Sequence, residues 1–127
     1  MKWHMAALAV ALACSASLQG CKKKANTDIQ PRNFGGQADR GAGLISYYSC
    51  GSCHTIPGIA GADGLVGPPL THFSRRVYIA GVLRNQPDNL VRWIRNPQAV
   101  VPGNVMPAMG IDARDARDIA AYLYTIQ

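Results

Sequence analysis

CGSCH, residues Cys50 to His54, puts two thiols and an imidazole within five positions. A C-x-x-C pair can be a redox dithiol, half of a zinc site, or the attachment point of a haem. A structural zinc takes four ligands, usually with a second pair at similar spacing. Beyond the motif, the folded part of the chain adds only His72, and adjacent Cys53 and His54 would crowd a shared metal. A redox dithiol belongs beside a βαβ unit, and no strand-like runs flank this one. A histidine directly after the second cysteine suits haem: the thiols add across the two vinyl groups, and the imidazole is held under the iron as the proximal ligand.

An iron ligated by one histidine needs a sixth ligand or stays open for chemistry. The candidates are His72, Met106 and Met109. The two methionines lie in PGNVMPAMG, where Pro102, Gly103 and Pro107 favour a turn-rich loop. Thioether sulfur is soft, and Met/His ligation raises the reduction potential. Packing in the core would use the same methionines equally well.

The beginning of the chain reads as an export signal. MKWH is a short basic start, and Met5 to Leu18 form an apolar run of 14 residues. A membrane-crossing helix needs about 20, so the run fits the apolar region of a signal peptide over residues 1–20. LQGC, Leu18 to Cys21, resembles the lipobox of bacterial lipoproteins, which implies a lipidated Cys21. Residues 21–36, KKKANTDIQPRNFGG after the cysteine, are polar and show no apolar period. They read as a lipid-anchored flexible tether, with Lys22, Lys23 and Lys24 suited to an anionic membrane surface. The expected location is the periplasmic side of a bacterial membrane. Lys22, with no aspartate in its place, favours the outer one.

From Gln37 onward the chain holds eight arginines against six aspartates, about +2, and no lysine. That is too mild and too scattered for nucleic acid.

These pieces resemble the class I cytochrome c family. The matching stretches are Gly41, CGSCH at 50–54, GPPL at 67–70, WIRNP at 93–97, PGNVMP at 102–107 and IAAYL at 119–123. More narrowly, HTIPGIAGADGLVGPPLTHF and NLVRWIRNPQAVVPGNVMP are similar to the cytochrome c domain fused to subunit II of caa3-type oxidases. The resemblance implies an all-α cytochrome c fold over 37–127, with three to five short helices around one covalently bound haem c. It implies that Cys50 and Cys53 carry the haem, that His54 and Met106 are the axial ligands, and that the carbonyl of Pro68 accepts from the other ring nitrogen of His54. It places Trp93 in the haem pocket and leaves Met109 as a packing residue.

Helices are expected over Asp39–Tyr48, Asn89–Arg95 and Asp112–Ile126, and strands are not. Leu44, Ile45 and Tyr48 share a face of the first, Leu90, Trp93 and Ile94 of the second, and Ile119, Leu123 and Ile126 of the third. Asp112 is positioned to cap the last helix. In the family the first and last helices cross at a small residue, so Gly41 belongs at that crossing, with Tyr122 an aromatic at the contact. Thr55 to Pro69 reads as a loop over the haem edge. A domain of about 90 residues buries a modest core, so the haem-free chain should be largely unfolded.

With both axial positions filled, the function implied is electron transfer between redox proteins, toward a terminal oxidase, by a monomer or a complex subunit. No enzymatic activity is expected. A peroxidase or a gas sensor would need an open sixth site, and no distal Arg/His pair is present for peroxide chemistry. A fixed subunit of an oxidase or dehydrogenase complex would share the carrier's chemistry and differ in assembly.

Overall fold

A computed structural model describes residues 35–127. The expected signal peptide, the expected lipidation of Cys21 and most of the expected tether fall outside the described residues.

The first helix, α1, spans Ala38–Tyr47, with Asp39 in its first turn. It ends where Ser49 turns into the left-handed region, φ 54°. That turn swings the chain directly into a 3-10 turn, Cys50–Ser52. The second helix, α2, spans Pro87–Arg95. Pro87 sits in its first turn, where a missing N–H costs nothing. A four-residue helix, α3, follows at Pro97–Val100, and the last, α4, spans Ala113–Leu123. Asp112 caps α4 as its position in the sequence suggests, its carboxylate accepting from the Asp115 N–H at 2.8 Å.

Both α1 and α2 pack on α4. Ile45 of α1, Leu90 and Ile94 of α2, and Ile119 and Leu123 of α4 are all buried, so each expected apolar face does point inward. Gly41 marks the α1–α4 crossing. A Cβ there would overlap the backbone carbonyl of Asp118, so only glycine permits this approach. Around the crossing, Arg40 forms ion pairs with both Asp115 and Asp118. The Gln37 amide donates to Asp118 Oδ1 at 2.8 Å, and the Tyr48 hydroxyl donates to Asp115 Oδ2 at 2.9 Å.

Two features differ from expectation. First, α4 stops at Leu123, three residues short of Ile126. Ile126 is still buried, and its carbonyl accepts from the backbone and hydroxyl of Ser74 at 3.0 and 2.8 Å. After Leu123 tighter bonds succeed the helical ones, Thr125 N–H to Tyr122 O at 2.8 Å and Ile126 N–H to Leu123 O at 3.2 Å. Second, there is a small sheet: β1, Tyr78–Ile79, pairs antiparallel with β2, Leu83–Arg84. Strands of two residues are too short to show alternation, and the turn between them carries Ala80 and Gly81 at φ 49° and 74°. An Ala-Gly pair is a weak hairpin signal beside Asn-Gly. Buried Asn85 follows the hairpin. Its amide nitrogen donates to the carbonyls of Phe73 and Arg76, and its oxygen accepts from the Tyr124 hydroxyl.

Candidate functional site

Between α1, α2, α4 and the two long loops lies an apolar slot with two chambers of about 260 and 370 Å³. Cys53, His54, Leu70, Ile94, Met106, Pro107 and Leu123 line both, so the chambers are continuous through these residues. Together they have the size of a cofactor site.

The motif CGSCH forms one wall. Cys50 and Cys53 are both thiols, half-buried at the edge of the slot. Burial pushes the Cys50 thiol above its ordinary pKa, as expected where apolar walls disfavour the thiolate. The following loop is laced onto the motif by backbone bonds: Gly64 N–H to Gly51 O at 3.0 Å, Gly67 N–H to Cys53 O at 2.8 Å, and Leu70 N–H to Thr55 O at 2.8 Å. Tyr122 of α4 holds the same loop from outside, its hydroxyl donating to Pro57 O at 2.8 Å.

The ring of His54 is fixed on two sides. Its Nδ1 lies 2.7 Å from the carbonyl oxygen of Pro68. A carbonyl only accepts, so Nδ1 carries the proton and Nε2 keeps its lone pair for a metal. Gly67 presses on the ring so closely that a Cβ there would overlap it. Opposite chain segments supply the remaining lining. Trp93 of α2 lines the second chamber, as does Pro68. Met106 lines both chambers, whereas Met109 reaches only the first and is 43% exposed. His72 lines neither chamber and is exposed, its backbone in the left-handed region at φ 53°.

The alternative chemistries of a C-x-x-C pair find no support in this geometry. Among the described residues, no group of three or more His, Cys, Asp or Glu could hold a metal ion. The only sheet among them is the antiparallel hairpin, not a βαβ unit. The slot does fit a haem: its walls are apolar, paired thiols stand at its edge, and an oriented imidazole and a thioether line the same space.

The sequence reading missed the side chains that hold the Met106 loop. Gln98 of α3 and Asn104 of the loop bond its backbone at several points. Both residues lie within stretches quoted above, but polar side chains beside a Pro-Gly loop carry no specific signal of what they bond.

Helices crossing at Gly41 around a slot edged by C-x-x-C-H define a c-type cytochrome domain. Residues 36–123 match the family described as cytochrome c oxidase, cbb3-type, subunit III, and the chain belongs to that family. Its cofactor is haem c, covalently bound, and the Cys50/Cys53 pair that attachment requires is present. The chain is 38% identical over 91 residues to cytochrome c oxidase subunit 2 of Alkalihalophilus pseudofirmus, covering 71% of this chain and 26% of that protein. Subunit 2 of Bacillus sp. strain PS3 is 35% identical over 91 residues, covering 70% and 23%. That of Bacillus subtilis is 30% identical over 89 residues, covering 68% and 25%. The chain therefore spans about a quarter of the length of these relatives. No solved structure matches it. The cytochrome c domain implies electron transfer as its coarse function.

Proposed function

We propose that the protein is a membrane-anchored mono-haem electron carrier, working between respiratory redox partners on the periplasmic side and passing electrons toward a terminal oxidase. The observation that carries this reading is that His54 and Met106, 52 positions apart in sequence, line one apolar slot. When bound, the haem supplies the one-electron couple. The chain's own residues do the rest. Cys50 and Cys53 hold the ring as thioethers. His54, oriented through Pro68, and Met106 would ligate the iron, which would leave no open position for substrate. Trp93, Leu70 and Ile94 exclude water, which tunes the potential.

The anchor is proposed from the leader and the lipobox cysteine, Cys21. Among the described residues, no helix is long and apolar enough to cross a membrane. A lipid on Cys21, with Lys22 to Lys24 beside it, would confine the search for partners to a membrane surface. Partners would meet the apolar lip of the slot, where Val66, Val105 and Met109 are exposed. Such redox contacts are small and transient.

A second reading, a fixed haem subunit of an oxidase complex, is favoured by one observation: the relatives are named as oxidase subunits. Purification from solubilised membranes separates the two, since a fixed subunit co-elutes with its complex. The test of the shared chemistry is the absorption spectrum of the purified holoprotein in both redox states, with carbon monoxide added. A low-spin reduced spectrum, a weak sulfur-to-iron band in the oxidised state and no response to carbon monoxide are expected. Ready carbon monoxide binding would remove the carrier reading.

A further inference from the structure

The loop that presents Met106 has little packing of its own. Val105 is 82% exposed, and Pro102, Gly103 and Pro107 are exposed as well. Something other than apolar burial must keep Met106 turned into the slot.

That role falls to one carboxamide. Gln98, half-buried on α3, donates through Nε2 to the carbonyl oxygens of Asn104 and Met106, at 2.8 and 3.0 Å. Its Oε1 accepts from the Gly103 N–H at 3.1 Å. Both donors and one acceptor site of this amide are thus spent on a single loop. Asn104 closes the inner turn: its Oδ1 accepts from the Met106 N–H at 2.8 Å, and its Nδ2 donates to Val101 O at 2.7 Å. Met106 has both its backbone polar groups held by these two side chains. Pro107 adds a third restraint, since the residue before a proline is held in extended conformations. The platform is itself fixed, because the Asn96 side chain caps α3 by accepting from the Ala99 N–H at 3.2 Å.

We infer that Gln98 is a positioning residue that holds Met106 in the slot and thereby sets how readily the sixth coordination site opens. The inference rests on Met106 being the axial ligand. It goes beyond that reading by naming what resists its displacement. A loop tied by three hydrogen bonds from one side chain must break or strain them when the thioether swings away. Without them, the same loop is a Gly/Pro-rich turn exposed to water, free to leave.

The test uses the full holoprotein and free imidazole as a competing ligand. Gln98→Met keeps the length of the side chain and removes all three bonds. Gln98→Glu keeps the acceptor for Gly103 but sets a carboxylate oxygen against two carbonyls. With neutral hydrogen bonds contributing about 1 kcal/mol each, imidazole should bind about ten- to a hundredfold more tightly to either variant. The sulfur-to-iron band should be lost at correspondingly lower imidazole. Asp118→Asn, which weakens the α1–α4 crossing away from this loop, serves as the control and should leave imidazole affinity within about twofold. Met106→Ala is measured in parallel. If it abolishes the sulfur band while both Gln98 variants bind imidazole like the wild type, the role of Gln98 is overturned and the ligand assignment stands. If Met106→Ala leaves the band intact, the ligand assignment itself fails. Should Gln98→Met not fold, Gln98→Glu alone decides. An affinity that rises equally in Asp118→Asn would show a general loss of stability and overturn the inference too.

Discussion

The Nδ1 atom of His54 lies 2.7 Å from the carbonyl oxygen of Pro68. That bond fixes the tautomer and leaves the Nε2 lone pair for a metal, with the ring's orientation set by the carbonyl. Gly67 makes it possible by leaving room beside the imidazole that a Cβ would fill. Gly67→Ala should therefore push the ring off the Pro68 carbonyl. Overpacking of this kind costs about 1–3 kcal/mol, read as a lower denaturant midpoint of the holoprotein. With His54 as the proposed iron ligand, a ring that has lost this orienting bond donates less to ferric iron, so the reduction potential should rise. A variant with the wild-type midpoint and potential would show that the ring has slack.

How much of this was legible beforehand varies with the kind of signal. Helix faces were readable because burial repeats at helical spacing: Ile45, Leu90, Ile94, Ile119 and Leu123 are all buried. The His54–Pro68 contact and the Gly41 crossing came from the family resemblance, not from periodicity. The hairpin at Tyr78–Arg84 escaped because two-residue strands leave no pattern. Gln98 and Arg40 escaped for other reasons. Gln98 bonds a loop only five to eight positions away, where polar side chains carry no specific signal, and the partners of Arg40 are brought in by the tertiary fold from 75 and 78 positions away.

Those distant partners predict a pH response. Hydrogen bonds from Arg40 and Tyr48 hold the Asp115 carboxyl below its ordinary pKa. For Asp118 burial works upward, but the Gln37 amide and Arg40 outweigh it, and its pKa is also lowered. Arg114 adds to both. A depressed folded-state value means that this stabilisation is present above the unfolded carboxylate value of about 3.9. It is lost as pH falls through the folded values. Stability of the holoprotein should thus decline from about pH 5 downward. Asp118→Asn should lower stability at pH 7 and flatten that decline, as read by urea unfolding at a series of pH values. A variant whose stability falls in parallel with the wild type would remove Asp118 from the acid response.

Contact with partners should depend little on salt. Val66 and Val105 lip one chamber, Met109 the other, and Leu65 beside them is 88% exposed. Among the described residues, Arg76 is the only charged one lining either chamber. With the domain at about +2 from eight arginines and six aspartates, long-range steering is weak. The bimolecular rate of electron exchange with a soluble redox protein should change by less than about threefold between ~0.01 and ~0.3 M ionic strength. A steep fall with salt would mean that a charged face, not the apolar lip, makes the contact.

Removing the haem should remove the fold. The slot runs between the helices and is walled by residues that also form the core, among them Ile45, Ile56, Ile94, Ile119 and Leu123. Without the apolar disc these side chains would face a water-filled space or collapse onto one another, and either outcome forfeits burial at about 25 cal/mol per Å². A domain of about 90 residues has little stability to spare. The Cys50→Ala/Cys53→Ala chain, produced without haem, should show weak helical circular dichroism and no cooperative thermal transition. The α1–α4 crossing, latched by Arg40 onto Asp115 and Asp118, is the part expected to keep residual helix. A compact apoprotein with a sharp melt would show that the polypeptide core suffices without its cofactor.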